Sequence, residues 1–228
     1  MSPSIKLNIA KVQQRIAEAE KKYGRKTDSV QLMAVSKTRP ASMVRAAADA
    51  GLTEIGENYL QEALDKQREL ADLGLTWHFI GPIQSNKTRA IAEHFDWVHS
   101  VDRLKIAQRL NDQRPETMAP LNICLQVNIS GEESKSGLPL EELDSLADQL
   151  AAMPNISARG LMAIPQATDS INDQRQAFTQ LADALHRLQQ KHPTMTTLSM
   201  GMSNDMDAAI AEGASIVRIG TDIFGPRQ

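Results

Sequence analysis

The sequence contains a single cysteine, Cys124, among its 228 residues. An intrachain disulfide is therefore excluded, and so is a zinc centre built on several thiolates. A reducing, intracellular setting is the expectation that follows. No apolar run approaches the ~18–20 residues that a membrane-spanning helix needs. Residues 1–24 carry Lys6, Lys11, Arg15, Glu18 and Glu20 where a signal peptide would have its apolar core. A dominant charge is missing too. The 25 Lys+Arg against 28 Asp+Glu leave a net charge of -3, too balanced for a protein that coats nucleic acid. The apolar fraction of 41% is that of a packed globular chain, which excludes disorder as the main state. The expectation is a cytoplasmic globular protein with neither nucleic acid nor membrane as partner.

What is present is an alternation. Ile5, Ile9, Val12, Ile16, Ala19 and Tyr23 recur in steps of four and three, which predicts an N-terminal helix stopped at Gly24. Eight short apolar runs follow, at 30–35, 54–56, 77–80, 97–101, 122–129, 158–164, 197–200 and 215–219, with amphipathic stretches between them. Alternating β and α units mean parallel strands joined by crossover helices. Eight such units are the count of a closed (β/α)8 TIM barrel, with an open doubly wound sheet as the alternative. No linker or low-complexity stretch divides the chain, so residues 1–228 are expected to form one barrel domain. The segment 111–121, with Pro115 and Pro120, reads as a surface loop.

In such a barrel the chemistry sits where strands end. Lys37 follows the first run. A lysine partly desolvated at the barrel mouth forms Schiff bases, and the plain alternative is a solvated strand-end lysine. Asn58 follows the second run and is either a helix cap or a ligand contact. His78 lies inside an apolar run and reads as a satisfied core histidine, with His94, His99, His186 and His192 scattered elsewhere. Around the seventh run, Ser199-Met200-Gly201-Met202-Ser203-Asn204-Asp205 offers close backbone approach and small donors. After the eighth, Gly220 and Thr221 form a second donor-rich turn. Loops in these two places are the usual phosphate site of the barrel, against the alternative of ordinary capping and a tight turn. Arg218 stands beside them, permanently charged, either facing a ligand or paired with an acid. Cys124 sits in an apolar run and reads as inert packing.

Taken in order, Ala34-Val35-Ser36-Lys37, Gly56-Glu57-Asn58, His78-Phe79-Ile80-Gly81, Gln84-Ser85-Asn86-Lys87, Ser199-Met200-Gly201-Met202-Ser203 and Arg218-Ile219-Gly220-Thr221 resemble the pyridoxal-phosphate homeostasis protein family. These are single-domain relatives of the alanine racemase barrel, and the resemblance covers almost the whole chain. It implies a barrel of the alanine-racemase N-terminal-domain type that binds pyridoxal 5'-phosphate (PLP) as a Schiff base on Lys37. It also implies that Ser203, Gly220 and Thr221 take the phosphate and that Arg218 faces the pyridine nitrogen. Asn58 is implied near the cofactor ring, and Met200 and Gly201 as lining.

The resemblance sets limits as well. An alanine racemase of this type needs a further β-domain and a second acid/base tyrosine supplied by a partner. Only ten residues follow Arg218, and only Tyr23 and Tyr59 exist. The expected function is thus intracellular PLP homeostasis, in which the cofactor is buffered and delivered to PLP-dependent apo-enzymes, without robust catalysis. The alternative is a small PLP-dependent amino-acid racemase or lyase using Lys37 as acid/base. A third reading is a phosphate-ligand barrel enzyme without PLP. A monomer is expected, because the racemase dimer relies on the missing domain. Lys135, in the loop after the fifth run, is a candidate second amine for cofactor transfer.

Overall fold

The computed structural model describes residues 4–130 and 136–226. Lys135 lies outside the described residues. Eight strands, β1 (Gln31–Val35), β2 (Glu54–Glu57), β3 (Thr76–Phe79), β4 (Trp97–Val101), β5 (Leu121–Gln126), β6 (Ile156–Met162), β7 (Thr197–Ser199) and β8 (Ile216–Ile219), close into a barrel in chain order. All pairs are parallel, and β8 returns to β1 in the register Gln31↔Ile216 to Ala34↔Ile219. The (β/α)8 barrel is therefore the fold, and the open sheet is ruled out.

Helices cover the outside: α1 (Ile5–Lys22), α2 (Ala41–Asp49), α3 (Leu60–Glu69), α4 (Thr88–His94), α5 (Leu104–Gln113), α6 (Leu143–Ala151), α7 (Ile171–Gln189), α8 (Met206–Ala211) and α9 (Thr221–Phe224). Their inner faces follow helical spacing. On α7, Phe178, Leu181, Leu185 and Leu188 are all buried against the sheet. On α1 the buried stripe is Ile9, Val12, Ile16 and Ala19, as the periodicity predicts, and Ser4 caps the helix by accepting from the Leu7 N–H. This extra helix packs on α2, α8 and α9, so it braces the outside of the β7–β8 end of the barrel.

Three elements differ from the sequence expectation. Strand β5 stops at Gln126; the Val127 N–H still donates to the Met162 carbonyl of β6, and from there the chain meets its own return. Val127 bridges Leu138, and the Asn128 N–H donates to the Leu138 carbonyl. Helix α5 continues to Gln113 and takes up part of the expected loop. The remainder is tied down by the buried Arg114, which donates to the carbonyls of Ala92, Phe95 and Ala119. The four-residue α9 is new: Ile223 and Phe224 donate back to the Gly220 carbonyl, so the turn after β8 is the start of a short helix.

Candidate functional site

A cavity of about 680 Å³ opens at the carboxyl ends of the strands. Lys37, Asn58, Ser203, Arg218, Gly220 and Thr221 all line it, so six residues singled out in the sequence, drawn from β1, β2, β7 and β8 and the turns after them, meet in one place.

The Lys37 side rests on buried charge. Lys66, on α3, is almost fully buried. Its ammonium donates at 2.6 Å to the Ser36 carbonyl, to Glu57 Oε1 and to Glu62 Oε1. The Ser36 hydroxyl donates to Glu57 as well. On the other flank of Lys37, the Thr38 N–H donates to Glu62 Oε1 at 2.6 Å. Thr38 is a non-glycine residue at φ 62°, a sparsely populated conformation that the surrounding bonds must hold. Burial pushes the Glu57 carboxyl up, and the Lys66 ammonium pulls it back. The backbone on both sides of Lys37 is thus fixed from α3.

The β7–β8 side is built mainly from backbone. Gly201 has φ 98°, and a Cβ there would sit 2.6 Å from the Ala209 Cβ, so the tight turn needs glycine. Asp205 closes the turn by accepting from the Met202 N–H at 2.6 Å. Burial raises the Asp205 carboxyl, opposed by that hydrogen bond and by Arg218. Arg15 of α1 donates to the Ser203 carbonyl at 3.1 Å and pairs with Asp222 at 2.6 Å. A planar trans peptide directs the Asn204 N–H opposite to the Ser203 carbonyl, and so away from Arg15. Asn8 of α1 secures α9 through the Ile223 carbonyl at 2.9 Å.

Arg218, on β8, is fixed by β7 and by the residue that follows β6. It is buried and donates to the Ser199 carbonyl at 2.5 Å, to Ser199 Oγ at 2.9 Å and to the Ala163 carbonyl at 3.0 Å. Burial lowers its pKa to about 10, so at neutral pH it remains a cation and a donor. The alternative of a direct salt bridge gives way to these carbonyl and hydroxyl contacts.

Asn58 does not cap α3. Tyr59 occupies the N-cap position, and the Asn58 Oδ1 is buried without a partner in the cavity wall. An orphaned acceptor of this kind fits a ligand that brings a donor. Met200 and Gly201 do not line the cavity where lining was expected. Met200 is fully buried, and Gly201 packs against Ala209 and Val217, so they stand behind the wall and shape it. His78 is a core histidine with both ring nitrogens engaged, but His99 is not scattered from it: the two rings meet at 2.9 Å. Cys124 is fully buried and its thiol is pushed up to about 12 by burial, which leaves it unreactive.

The lobe formed by Ile164, Pro165, Thr168 and Asp169 after β6 was not foreseen. Only its position after a strand end could have pointed to it, because the segment has no motif. Tyr59 is exposed and absent from the cavity wall, while the Tyr23 hydroxyl donates to Asp207 at 2.5 Å.

Comparison with known proteins agrees with this architecture. The family model described as "Alanine racemase, N-terminal domain" matches residues 7–228. A protein of Pseudomonas aeruginosa called pyridoxal phosphate homeostasis protein is 61% identical over 221 residues, 97% of this chain and 95% of its own. The protein of that name in Escherichia coli K12 is 52% identical over 224 residues, 97% of this chain and 96% of its own. Among solved structures, PipY of Synechococcus elongatus PCC7942 with PLP bound is 42% identical. It superposes with a TM-score of 0.81 over 92% of this chain and 100% of that one.

Proposed function

The chain belongs to the pyridoxal phosphate homeostasis protein family, built on the alanine racemase N-terminal domain, and on that premise we propose that it binds PLP at the mouth of its barrel, buffers the free cofactor and delivers it to apo-enzymes. The single observation that carries the reading is one cavity lined by Lys37, by the Ser203 and Gly220-Thr221 turns and by Arg218. PLP supplies an aldehyde that condenses with a primary amine to a Schiff base, and Lys37 is the amine in this cavity. The residues present fit that ligand: small donors for a phosphate, the orphaned Asn58 Oδ1 for a polar ring substituent, and an arginine for a ring nitrogen.

Each side chain has a separate task. The Ser36, Glu57, Lys66 and Glu62 cluster holds the backbone that carries Lys37. The Ser203 and Thr221 hydroxyls and the turn amides orient the phosphate. Arg218 keeps its protons and would donate to the ring nitrogen, which would leave that nitrogen unprotonated and the ring a weak electron sink. With neither tyrosine in the cavity wall, the site favours holding the cofactor over turning over an amino acid. The one-domain reading of residues 1–228 is part of this proposal.

Titration of the purified protein with PLP tests it. A Schiff-base absorption band that borohydride removes, and that Lys37→Ala lacks, is the expected result. Rapid solvent deuterium uptake at the α-carbon of an added amino acid would instead favour a racemase or lyase. A protein that stays colourless with PLP would overturn the cofactor reading.

A further inference from the structure

A chain of buried polar groups crosses the barrel interior beneath the cavity. Glu54 Oε2 lies 2.7 Å from His78 Nε2, and His78 Nδ1 lies 2.9 Å from His99 Nε2. His99 Nδ1 lies 2.8 Å from Ser199 Oγ, which accepts from Arg218 Nη1 at 2.9 Å. The chain links β2, β3, β4, β7 and β8. It begins at the amino end of β2, where the Glu54 side chain is 18% exposed, and ends at the cavity wall. His78, His99 and Ser199 are fully buried.

The two ends fix its direction. Arg218 only donates, and the Glu54 carboxylate only accepts. Ser199 Oγ accepts from Arg218, so its own hydrogen goes to His99 Nδ1. His99 then carries its proton on Nε2 and donates to His78 Nδ1. His78 carries its proton on Nε2 and donates to Glu54. Every donor and acceptor along the chain is matched with both histidines neutral. Charging His78 would reverse the two middle bonds and make Ser199 Oγ accept twice. Its buried hydroxyl hydrogen would then have no acceptor in the chain, an arrangement that costs the full desolvation of that group. Burial, then the positive charge that a protonated His78 would bring, then that of Arg218, hold His99 well below the usual histidine range, in keeping with a neutral His99 ring.

We infer that Glu54, His78, His99 and Ser199 are positioning residues that act through a one-directional hydrogen-bond relay to orient Arg218 toward the ligand at the opposite end of the barrel. The inference rests on the PLP reading for its ligand, but the relay itself belongs to the ligand-free protein. Linked hydrogen bonds polarise one another in a low-dielectric interior, so the carboxylate at the base of the barrel strengthens each acceptor up to Ser199 Oγ, and with it the bond that fixes the Arg218 guanidinium. Glu54→Gln keeps an acceptor for His78 but removes the charge. Ser199→Ala removes one hydroxyl and breaks the chain beside Arg218.

Nitrogen-15 NMR of the ligand-free protein at neutral pH reads the relay directly. The expected pattern is both His78 and His99 neutral and protonated on Nε2. Either ring protonated on Nδ1, or charged, overturns the relay. This result does not depend on whether PLP binds, so it separates the relay from the functional reading. With PLP added, Glu54→Gln and Ser199→Ala are each expected to shift the absorption maximum of the bound cofactor and to weaken its binding by roughly fivefold, the factor carried by one net hydrogen bond. If both folded variants bind with unchanged affinity and an unchanged spectrum, Glu54 and Ser199 have no positioning role. If Glu54→Gln fails to fold, Ser199→Ala alone decides the question.

Discussion

On the β1–β2 side of the mouth, the backbone that carries Lys37 is held by charged side chains, with Lys66 and Glu57 buried and Glu62 half-buried. Lys66, Glu57 and Glu62 meet behind Ser36 and Thr38. On the β7–β8 side the turns are held by glycine, by backbone hydrogen bonds, by one carboxyl, Asp205, and by Arg15 and Asn8 reaching in from α1. The difference separates two engineering problems. On the proposed reading Lys37 is an anchor that must sit at one point, and the buried charge beside it fixes its backbone at the cost of coupling it to global stability. An anion cradle needs amides and hydroxyls in a defined turn, which the backbone supplies and an exposed helix adjusts.

The largest effect is expected where that coupling is strongest. Lys66→Met strands Glu57 and Glu62 without their cation, and breaking a buried pair costs about 3–5 kcal/mol. Urea unfolding should show a loss of that size, partly recovered when Glu57→Gln is added. A loss no larger than that of an exposed lysine would mean that the cluster does not hold the anchor.

On the opposite side, Gly201→Ala is expected to cost about 1–3 kcal/mol from backbone strain alone. Gly51 has a similar φ of 89° but nothing within 4 Å of its missing Cβ, so Gly51→Ala is the control. The Gly201 variant should be the less stable of the two, because its Cβ also meets Ala209. Equal thermal midpoints would show that packing behind the turn is unimportant.

A pH effect comes next. The His99 pKa is depressed in the folded protein, so below the ordinary histidine value the unfolded chain binds a proton that the folded one refuses. This stability is present above pH ~6.5 and is lost as pH falls toward the folded pKa, at up to ~1.4 kcal/mol per pH unit. Unfolding free energies measured from pH 7 to pH 5 should fall with this slope, and His99→Gln should flatten it. The smallest effect belongs to Arg15→Gln. Its pair with Asp222 is exposed, so stability should scarcely change. Retention of a phosphate-bearing ligand should weaken by about threefold, less than one full hydrogen bond, since Arg15 acts on the site indirectly, through the Ser203 carbonyl and Asp222.

The same contrast explains what the sequence reveals. The β7–β8 turns are legible because Gly201, Ser203, Gly220 and Thr221 lie next to the strands they follow. The barrel is legible because each strand is a short apolar run and each helix shows its spacing. The Lys66 cluster is not, because its partner Ser36 is 30 positions away and a lysine on a helix ordinarily faces water. The His78–His99 contact is hidden for a similar reason: the residues are 21 positions apart and meet only because both point into the closed barrel. Helix α9 is too short to leave a periodic signal.

Borohydride trapping with peptide mapping tests the cooperation of the two sides most directly. The protein is exposed to equal low concentrations of PLP and of pyridoxal, which has the aldehyde without the phosphate, then reduced and digested. The account predicts that PLP labels Lys37 selectively, whereas pyridoxal leaves it largely unmodified. Equal labelling by both aldehydes, or labelling spread over exposed lysines with Lys37 unmodified, would contradict it.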